Sequence, residues 1–349
     1  MLDLRDGGPL RHARERAVQA RALRDECVAF LPRPAQRLVP LLDRMACRWL
    51  MRSCSPYVSE IAAIATALGF SGAWFLNGSY QWGCTTLARD EDGRPWLART
   101  LDWPFPGLGR HAEVARLRGV AGDFFSVTWP GYVGVLTAMA PGRFAAAVNQ
   151  APMWRRTLHP WLRPYDLTAN AVRTWRVRHI PPDQLLRLVF ETAAGFAEAR
   201  QMLEATPVAR PVIFTLAGCA PGETCVIERT EEAFATRTEN TCAANDWMES
   251  RAGWEGRISA ERLLNCSFAE AAENSCSRRT ALSAWADRLD DAQFPWVVAP
   301  VLNPYTRLAV AMCPASGALN VCAYEMDGAD ALPAPVAGVS VTVDALQAA

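Results

Sequence analysis

Apolar residues recur at helical spacing early in the chain, at Leu23, Val28 and Leu31 and then at Leu38, Leu41, Leu42, Met45 and Trp49, and predict a helical region over 10–54. A further helix is predicted over 58–68, stopped at Gly69, and Trp74-Phe75-Leu76 reads as the start of a strand. From Gly83 the pattern changes to short extended runs. Residues 84–88 and 95–101 flank Glu91-Asp92-Gly93, an Asp-Gly hairpin signal, and strands are predicted at 124–129, 131–138 and 143–149, the last two separated by Pro141-Gly142. Helical period returns over 167–206, broken at Pro181-Pro182 and near Gly195, and strands resume at 212–217, 224–228, 233–237 and 241–245. Helices are predicted over 259–265 and 279–289, and a last hairpin over 307–313 and 318–325, turning at Ser316-Gly317. The Ala/Pro/Gly/Val-rich tail after Asp327 reads as a loosely packed terminus. Blocks of strands and blocks of helices predict an α+β, layered architecture with mostly antiparallel sheets and not the alternation of a doubly wound fold.

Composition narrows the chemistry. The chain has 349 residues, 50% hydrophobic and 21% charged, with Lys+Arg 36 against Asp+Glu 36, which argues for an ordinary globular protein and against disorder, collagen or nucleic-acid binding by bulk charge. Every one of the basic residues is arginine. Without lysine there is no P-loop, no Schiff-base chemistry and no serine-lysine hydrolysis. Only His12, His111, His159 and His179 remain for imidazole chemistry, none paired at ligand spacing, which disfavours a histidine-rich metal site, and the thiol chemistry read below needs no metal or organic cofactor. Eleven cysteines without a CxxC pair read as free packing thiols, Cys219 and Cys225 included although they flank a turn. The first 26 residues mix charges and lack an apolar core, which reads as no secretory signal, and the apolar run 61–76 is too short for a bilayer and contains Gly69 and Gly72. A cytoplasmic location is the resulting expectation. Interspersed acids make a solvated face the default for the arginine-rich helices before residue 55, with transient contact to an anionic membrane surface as the alternative.

The sharpest local feature is Gly83-Cys84-Thr85-Thr86, set against Arg99-Thr100-Leu101-Asp102-Trp103 at the end of the partner strand. If the Gly83–Cys84 bond were cut, the α-amino group of Cys84 could serve as general base for its own thiol, since the two groups ordinarily titrate within about one pH unit of each other. Such a site needs no histidine. Arg99 beside the sulfur would favour the thiolate, and Asp102 could hold the α-ammonium formed on proton uptake. A buried strand cysteine and a structural ion pair are the competing reading of the same residues.

Over residues 84–324 the sequence resembles the acid ceramidase and N-acylethanolamine-hydrolysing acid amidase family of N-terminal-nucleophile hydrolases, relatives of choloylglycine hydrolase and isopenicillin N acyltransferase. Gly131-Tyr132-Val133-Gly134-Val135-Leu136-Thr137, then Pro141-Gly142-Arg143-Phe144 and the strand ending at Asn149, resemble that family's GYVG segment. Arg178-His179-Ile180-Pro181 and Pro300-Val301-Leu302-Asn303 resemble its helical connection and its entry to the last hairpin. Arg99 favours the amidase branch over the acyltransferases. The resemblance implies that Cys84 is a nucleophile exposed by autoproteolysis and positioned by Arg99 and Asp102. It implies that Asn245, in the segment Asn245-Asp246-Trp247, donates to the oxyanion, that the backbone near Asn149 supplies a second donor, and that Arg257 braces the site. Two departures stand out. The asparagine segment is one residue shorter than the family's Asn-Tyr-Asp-x-Trp pattern, and Gln150 stands where ceramidase-like members carry an acid.

The implied fold is a four-layer αββα sandwich of two antiparallel sheets, with residues 1–83 a helical propeptide retained as a subunit and 84–349 the catalytic domain. The implied activity is hydrolysis of a linear N-acyl amide with a fatty-acyl chain through a thioester. An N-acyltransferase and a noncatalytic acyl-ligand-binding protein are the alternatives. His179 reads as structural, and a papain-like pairing of Cys84 with His111 or His159 lacks the papain-type signature. For Trp82, Trp103, Trp129 and Trp154 core packing is the default, with lining of an acyl pocket as the alternative.

Overall fold

The computed structural model describes residues 1–79, 83–256, 266–326 and 332–343. The N-terminal part holds a short strand, β1 (Leu2–Asp3), and helices α1 (Gly8–Glu15), α2 (Ala17–Phe30), α3 (Arg33–Gln36), α4 (Val39–Leu50), α5 (Val58–Leu68) and α6 (Ala73–Gly78). Then come the hairpin β2 (Gly83–Glu91) and β3 (Arg94–Asp102), and β4 (Glu113–Gly119), β5 (Gly122–Thr128), β6 (Thr137–Ala140), β7 (Phe144–Gln150) and β8 (Met153–Trp154). Helices α7 (Arg163–Arg176), α8 (Pro182–Thr192) and α9 (Phe196–Ala205) lead into β9 (Val212–Ala217), β10 (Thr224–Arg229), β11 (Phe234–Arg237), β12 (Cys242–Ala243) and β13 (Trp254–Glu255). Next are α10 (Phe268–Ser283), β14 (Thr306–Cys313), β15 (Ala318–Glu325) and β16 (Ala334–Thr342).

Two sheets carry the architecture. One has eight strands in the order β1-β4-β5-β6-β7-β9-β10-β11, the other six in the order β12-β2-β3-β14-β15-β16, and all neighbours are antiparallel except the β1/β4 pair. Strands β2 and β3 face β7 and β9 across the gap between the sheets, α8 and α9 cover the outer face of the larger sheet, and α10 covers the smaller one. This is the four-layer αββα order, an α+β fold. The strand Phe144–Gln150 is buried from both sides, which is why FAAAVNQ reads as a continuous apolar run without alternation. Outside it, Phe190 of α8 stacks on both Phe124 and Phe144 and joins helix to sheet. Truncating that ring to Ala would cost about 3–5 kcal/mol.

The β2/β3 hairpin is specified locally. Asp92 and Gly93 both take positive φ, 51° and 73°, in a two-residue loop between Glu91 and Arg94, a primed turn whose twist matches that of the strands. That loop sets the register for the whole hairpin. Helix α5 likewise ends on Gly69 at φ 65°, as the sequence predicts.

Four predicted elements differ. Trp74-Phe75-Leu76 is helical, part of α6 packed on α4, since an apolar triplet has no period of its own to distinguish the two states. Of the strand predicted over 131–138 only Thr137 and Ala138 belong to a strand, because the backbone groups of Gly131, Val133 and Val135 are bonded to side chains and to a helix instead of a ladder. The helix predicted over 279–289 is displaced toward the N-terminus as α10, started by a capping box between Ser267 and Glu270. The tail forms β16, paired along its length with β15. The helix predicted over 259–265 lies outside the described residues. Among the described residues no helix is long and apolar enough to cross a membrane.

Candidate active site

The hairpin register divides the site into two faces. Residues directly opposite each other share a face of the sheet, so the pairs Cys84↔Leu101 and Thr86↔Arg99 point one way and Gly83↔Asp102 and Thr85↔Thr100 the other. The first face looks into the gap between the sheets. There Arg99 Nη2 donates to Cys84 Sγ at 2.8 Å and to the Val148 carbonyl at 3.3 Å, and Nη1 donates to the Leu136 carbonyl at 3.2 Å and to Thr137 Oγ1. Both Cys84 and Arg99 are fully buried. Among the described residues no carboxylate pairs with this guanidinium, so the sulfur is the group that can carry its counter-charge. A buried cation against a thiol favours the thiolate, the nucleophilic form.

The second face looks toward α10. The Asp102 carboxylate accepts from Thr306 Oγ1 at 3.0 Å and from Asn303 Nδ2 at 2.9 Å, and Arg278 Nη1 approaches it at 3.4 Å. Arg278 also donates to the Cys84 carbonyl at 2.7 Å, to Thr85 Oγ1 at 3.0 Å and, through Nη2, to Asn245 Oδ1 at 3.0 Å. Asn245 Oδ1 accepts the Cys84 N–H at 2.9 Å, and its Nδ2 donates to the Gln150 carbonyl at 2.8 Å. Two donors converging on one oxygen fix which way the Asn245 amide faces. The first face thus holds the sulfur of Cys84 and the second its backbone.

The structure brings together four of the residues singled out in the sequence, Cys84, Arg99, Asp102 and Asn245. Asn149 is close but differently engaged. Its Nδ2 donates to Thr86 Oγ1 and to the carbonyls of Ala243 and Ala244, so its side chain staples β7 to the segment that carries Asn245. Arg257 lies outside the described residues, as does Trp82. Arg278, Asn303 and Thr306 were not assigned a role from the sequence. A signal for Arg278 existed: α10 buries Ala271, Ser275, Arg278 and Leu282, and an arginine in the buried stripe of a helix demands a polar partner.

The histidines are engaged elsewhere. His12 Nε2 lies 2.5 Å from Glu113 Oε2, His111 Nε2 3.1 Å from Glu26 Oε1, His179 near Glu232, and His159 stacks on Trp161. Cys219 and Cys225, which flank a turn, do not form a disulfide. Burial pushes the thiols of Cys27, Cys225 and Cys242 up to about 12, which makes them inert, whereas Cys84 has a guanidinium on its sulfur. Among the described residues no cluster of His, Cys, Asp and Glu is arranged to hold a metal ion.

A cavity of about 580 Å³ with mainly apolar walls borders the site. Trp103, next to Asp102, and Gln150, whose carbonyl receives Asn245, form its near wall together with Trp154. Its far wall comes from the N-terminal helices through Leu23, Leu42, Met45 and Trp49. Of the tryptophans considered in the sequence, Trp103 and Trp154 therefore line the cavity, while Trp129 is core, its Nε1 donating to the Leu108 carbonyl.

No protein-family model matches the sequence. The chain is similar to the N-acylethanolamine-hydrolyzing acid amidase of Oryctolagus cuniculus, 28% identical over 187 residues, 52% of this chain and 49% of that protein. It is similar to the acid ceramidase of Bos taurus, 29% identical over 219 residues, 56% of this chain and 53% of that protein. The chain thus spans about half the length of the curated relatives it matches. Among solved structures, the Caenorhabditis elegans N-acylethanolamine-hydrolyzing acid amidase orthologue is 16% identical with a TM-score of 0.49, covering 66% of this chain and 93% of that one. The two curated relatives are of the family that the Gly83–Asp102 hairpin and the GYVG segment resemble.

Proposed function

We propose that this chain, a relative of the N-acylethanolamine-hydrolysing acid amidases and acid ceramidases, is an N-terminal-cysteine amidohydrolase that cuts its own Gly83–Cys84 bond and then hydrolyses a linear N-acyl amide with a hydrophobic acyl chain. One observation carries the reading. The thiol of Cys84 rests on Arg99 while the backbone nitrogen of the same residue is held by Asn245, so nucleophile and prospective base are positioned independently within one residue.

In maturation the Cys84 sulfur attacks the Gly83 carbonyl carbon. The C–N bond to Cys84 breaks, the nitrogen takes up a proton, and water then hydrolyses the thioester, leaving a Gly83 carboxylate and a free Cys84 amine and thiol. In turnover the sulfur attacks the substrate carbonyl, the α-ammonium protonates the leaving amine, and water, deprotonated by the amine, releases the fatty acid. Arg99 stabilises the thiolate, and Asp102 and Asn245 orient the amine. Asn245 Nδ2 and the backbone near Asn149 serve the oxyanion, with Arg278 and Arg257 as braces. The acyl chain occupies the cavity beside Trp103, whose apolar walls support a lipid-like substrate.

Residues 1–83 remain bound after the cut. Supporting this, β1 adds to the larger sheet, Trp49 Nε1 donates to the Thr174 carbonyl, the Cys54 N–H donates to the Arg178 carbonyl, and helices of this segment wall the cavity. Exposed Phe30 and Leu41 on these helices, and Leu38 in the turn before α4, lie among Arg33, Arg37 and Arg44, which supports transient contact with an anionic membrane surface.

The test is intact-mass and N-terminal analysis of the wild type and Cys84→Ala across a pH series, followed by a screen of N-acyl amides with and without competing amines. Cleavage ahead of Cys84 in the wild type alone, with release of fatty acid, is the expected result. Products carrying the competing amine would identify an acyltransferase. An uncut chain whose Cys84 resists thiol probes would overturn the reading.

A further inference from the structure

Asn77 is in the last turn of α6, on the far side of the Gly83–Cys84 bond from the thiol, and is 2% exposed. Its Nδ2 donates to the Ala73 carbonyl in its own helix and to the Gly131 carbonyl, both at 2.9 Å, and its Oδ1 accepts the Val133 N–H at 2.8 Å. The side-chain amide thus pairs with Gly131 and Val133 as a neighbouring strand would. Residues 131–136 are buried yet belong to no strand, so their backbone groups need partners from elsewhere. Asn77 supplies two of them. Helix α8 supplies others: the Val135 N–H donates to the Asp183 carbonyl, Tyr132 OH donates to Asp183 Oδ2 at 2.8 Å, and Arg187 Nη1 donates to the Val133 carbonyl at 3.2 Å.

The segment so held ends on the Leu136 carbonyl and Thr137 Oγ1, the two acceptors of Arg99 Nη1. A continuous, buried chain of contacts therefore runs from Asn77 through 131–137 to Arg99 and the Cys84 sulfur. We propose that Asn77 is a positioning residue of the active site, contributed across the cut by the N-terminal segment, so that this segment sets the geometry of the nucleophile's cation after maturation as well as before it. This rests on the amidohydrolase reading, but its test does not depend on that reading alone.

The experiment compares Asn77→Leu, similar in size without hydrogen-bonding groups, and the milder Asn77→Ser with Arg16→Gln. Arg16 binds Glu113 between the N-terminal segment and β4 without touching 131–137. Three quantities are read: the melting temperature, the alkylation rate of Cys84 followed on its own peptide by mass spectrometry, and kcat and KM for an N-acyl amide. Asn77→Leu is expected to slow Cys84 alkylation and lower kcat about tenfold, with KM within about twofold, and Asn77→Ser to do so about threefold. Arg16→Gln is expected to lower the melting temperature only. Wild-type alkylation and kcat in both Asn77 variants, or equal losses in Arg16→Gln, would overturn the proposal. If the wild type hydrolyses no amide, the amidohydrolase reading fails, while the alkylation rates still decide whether Asn77 positions the thiol.

Discussion

The two faces of the β2/β3 hairpin solve different problems with the same residue type. Facing the opposite sheet, Arg99 is a buried cation whose hydrogen bonds go to backbone carbonyls, a hydroxyl and the Cys84 sulfur, without a carboxylate partner among the described residues. Facing α10, Arg278 is tied to Asp102, to Asn245 and to the carbonyl of Cys84. The first arrangement leaves a positive charge to be matched by the thiolate, and the second is neutralised before any substrate arrives. The comparison teaches that charge on the sulfur and orientation of the backbone nitrogen are set by separate networks meeting at one residue. They should fail separately.

The largest effect is expected on the sheet-facing side. Replacing Arg99 by Met removes the cation and should lower amide turnover about 10²–10³-fold, the range seen when a preorganised donor is deleted from other active sites, and slow Cys84 alkylation in parallel. A stability measurement sharpens the point. Cys84→Ala leaves Arg99 without an anionic partner in a buried site, so it should melt below the double variant Cys84→Ala/Arg99→Met, in which no charge is stranded. A higher melting temperature for the single variant would mean that the sulfur carries no counter-charge.

On the α10 side Arg278→Gln should lower kcat about 10- to 100-fold, since it deprives Asp102 of its cation and Asn245 of a donor. Thr306→Val and Asn303→Leu each remove one donor to Asp102 and should cost about tenfold or less, with Thr306→Ser restoring the loss. The discriminating readout is Cys84 alkylation, which these three variants should leave near the wild-type rate. If alkylation falls as steeply in Arg278→Gln as in Arg99→Met, the two networks are one.

What the sequence discloses follows the same division. The Asp-Gly turn sets a hairpin whose register puts Cys84, Arg99 and Asp102 at one end, so those three were legible from local pattern and motif. Arg278 was not, because predicting the helix over 279–289 places Arg278 just outside its start. The capping pair Ser267 and Glu270, which would have moved the start back, was readable in the same stretch. Thr306 was hidden for a different reason. It meets Asp102 only because β14 pairs with β3 across some 200 residues of chain, a contact that no local period encodes. The segment 131–135 reads as a strand since it is apolar, but its backbone bonds go to the Asn77 and Arg187 side chains and to the first turn of α8, and such partners in place of a ladder leave no trace in an apolar count.

The smallest effect on turnover, and the finest probe of the sheet-facing network, concerns Asp183. Burial raises its carboxyl from the ordinary 3.8 to about 6, opposed by the hydrogen bond from Tyr132. A group that binds its proton more tightly in the fold than in the unfolded chain favours the fold most below the unfolded value, and that contribution is lost as pH rises through the folded one. The separation corresponds to roughly 3 kcal/mol at most. Wild-type stability should therefore fall between about pH 4 and pH 6 relative to Asp183→Asn, which keeps an acceptor for Tyr132 but has no proton to lose. Denaturant melts at pH 4.5 and pH 7 would show the variant gaining on the wild type at the higher pH, with kcat at neutral pH within about twofold. Parallel stability curves would mean that the Asp183 carboxyl keeps its ordinary value in the fold and is ionised at both pH values. In either outcome an unchanged kcat would place the support of residues 131–136 in hydrogen bonds and packing, leaving Arg99 as the sheet-facing charge that matters for turnover.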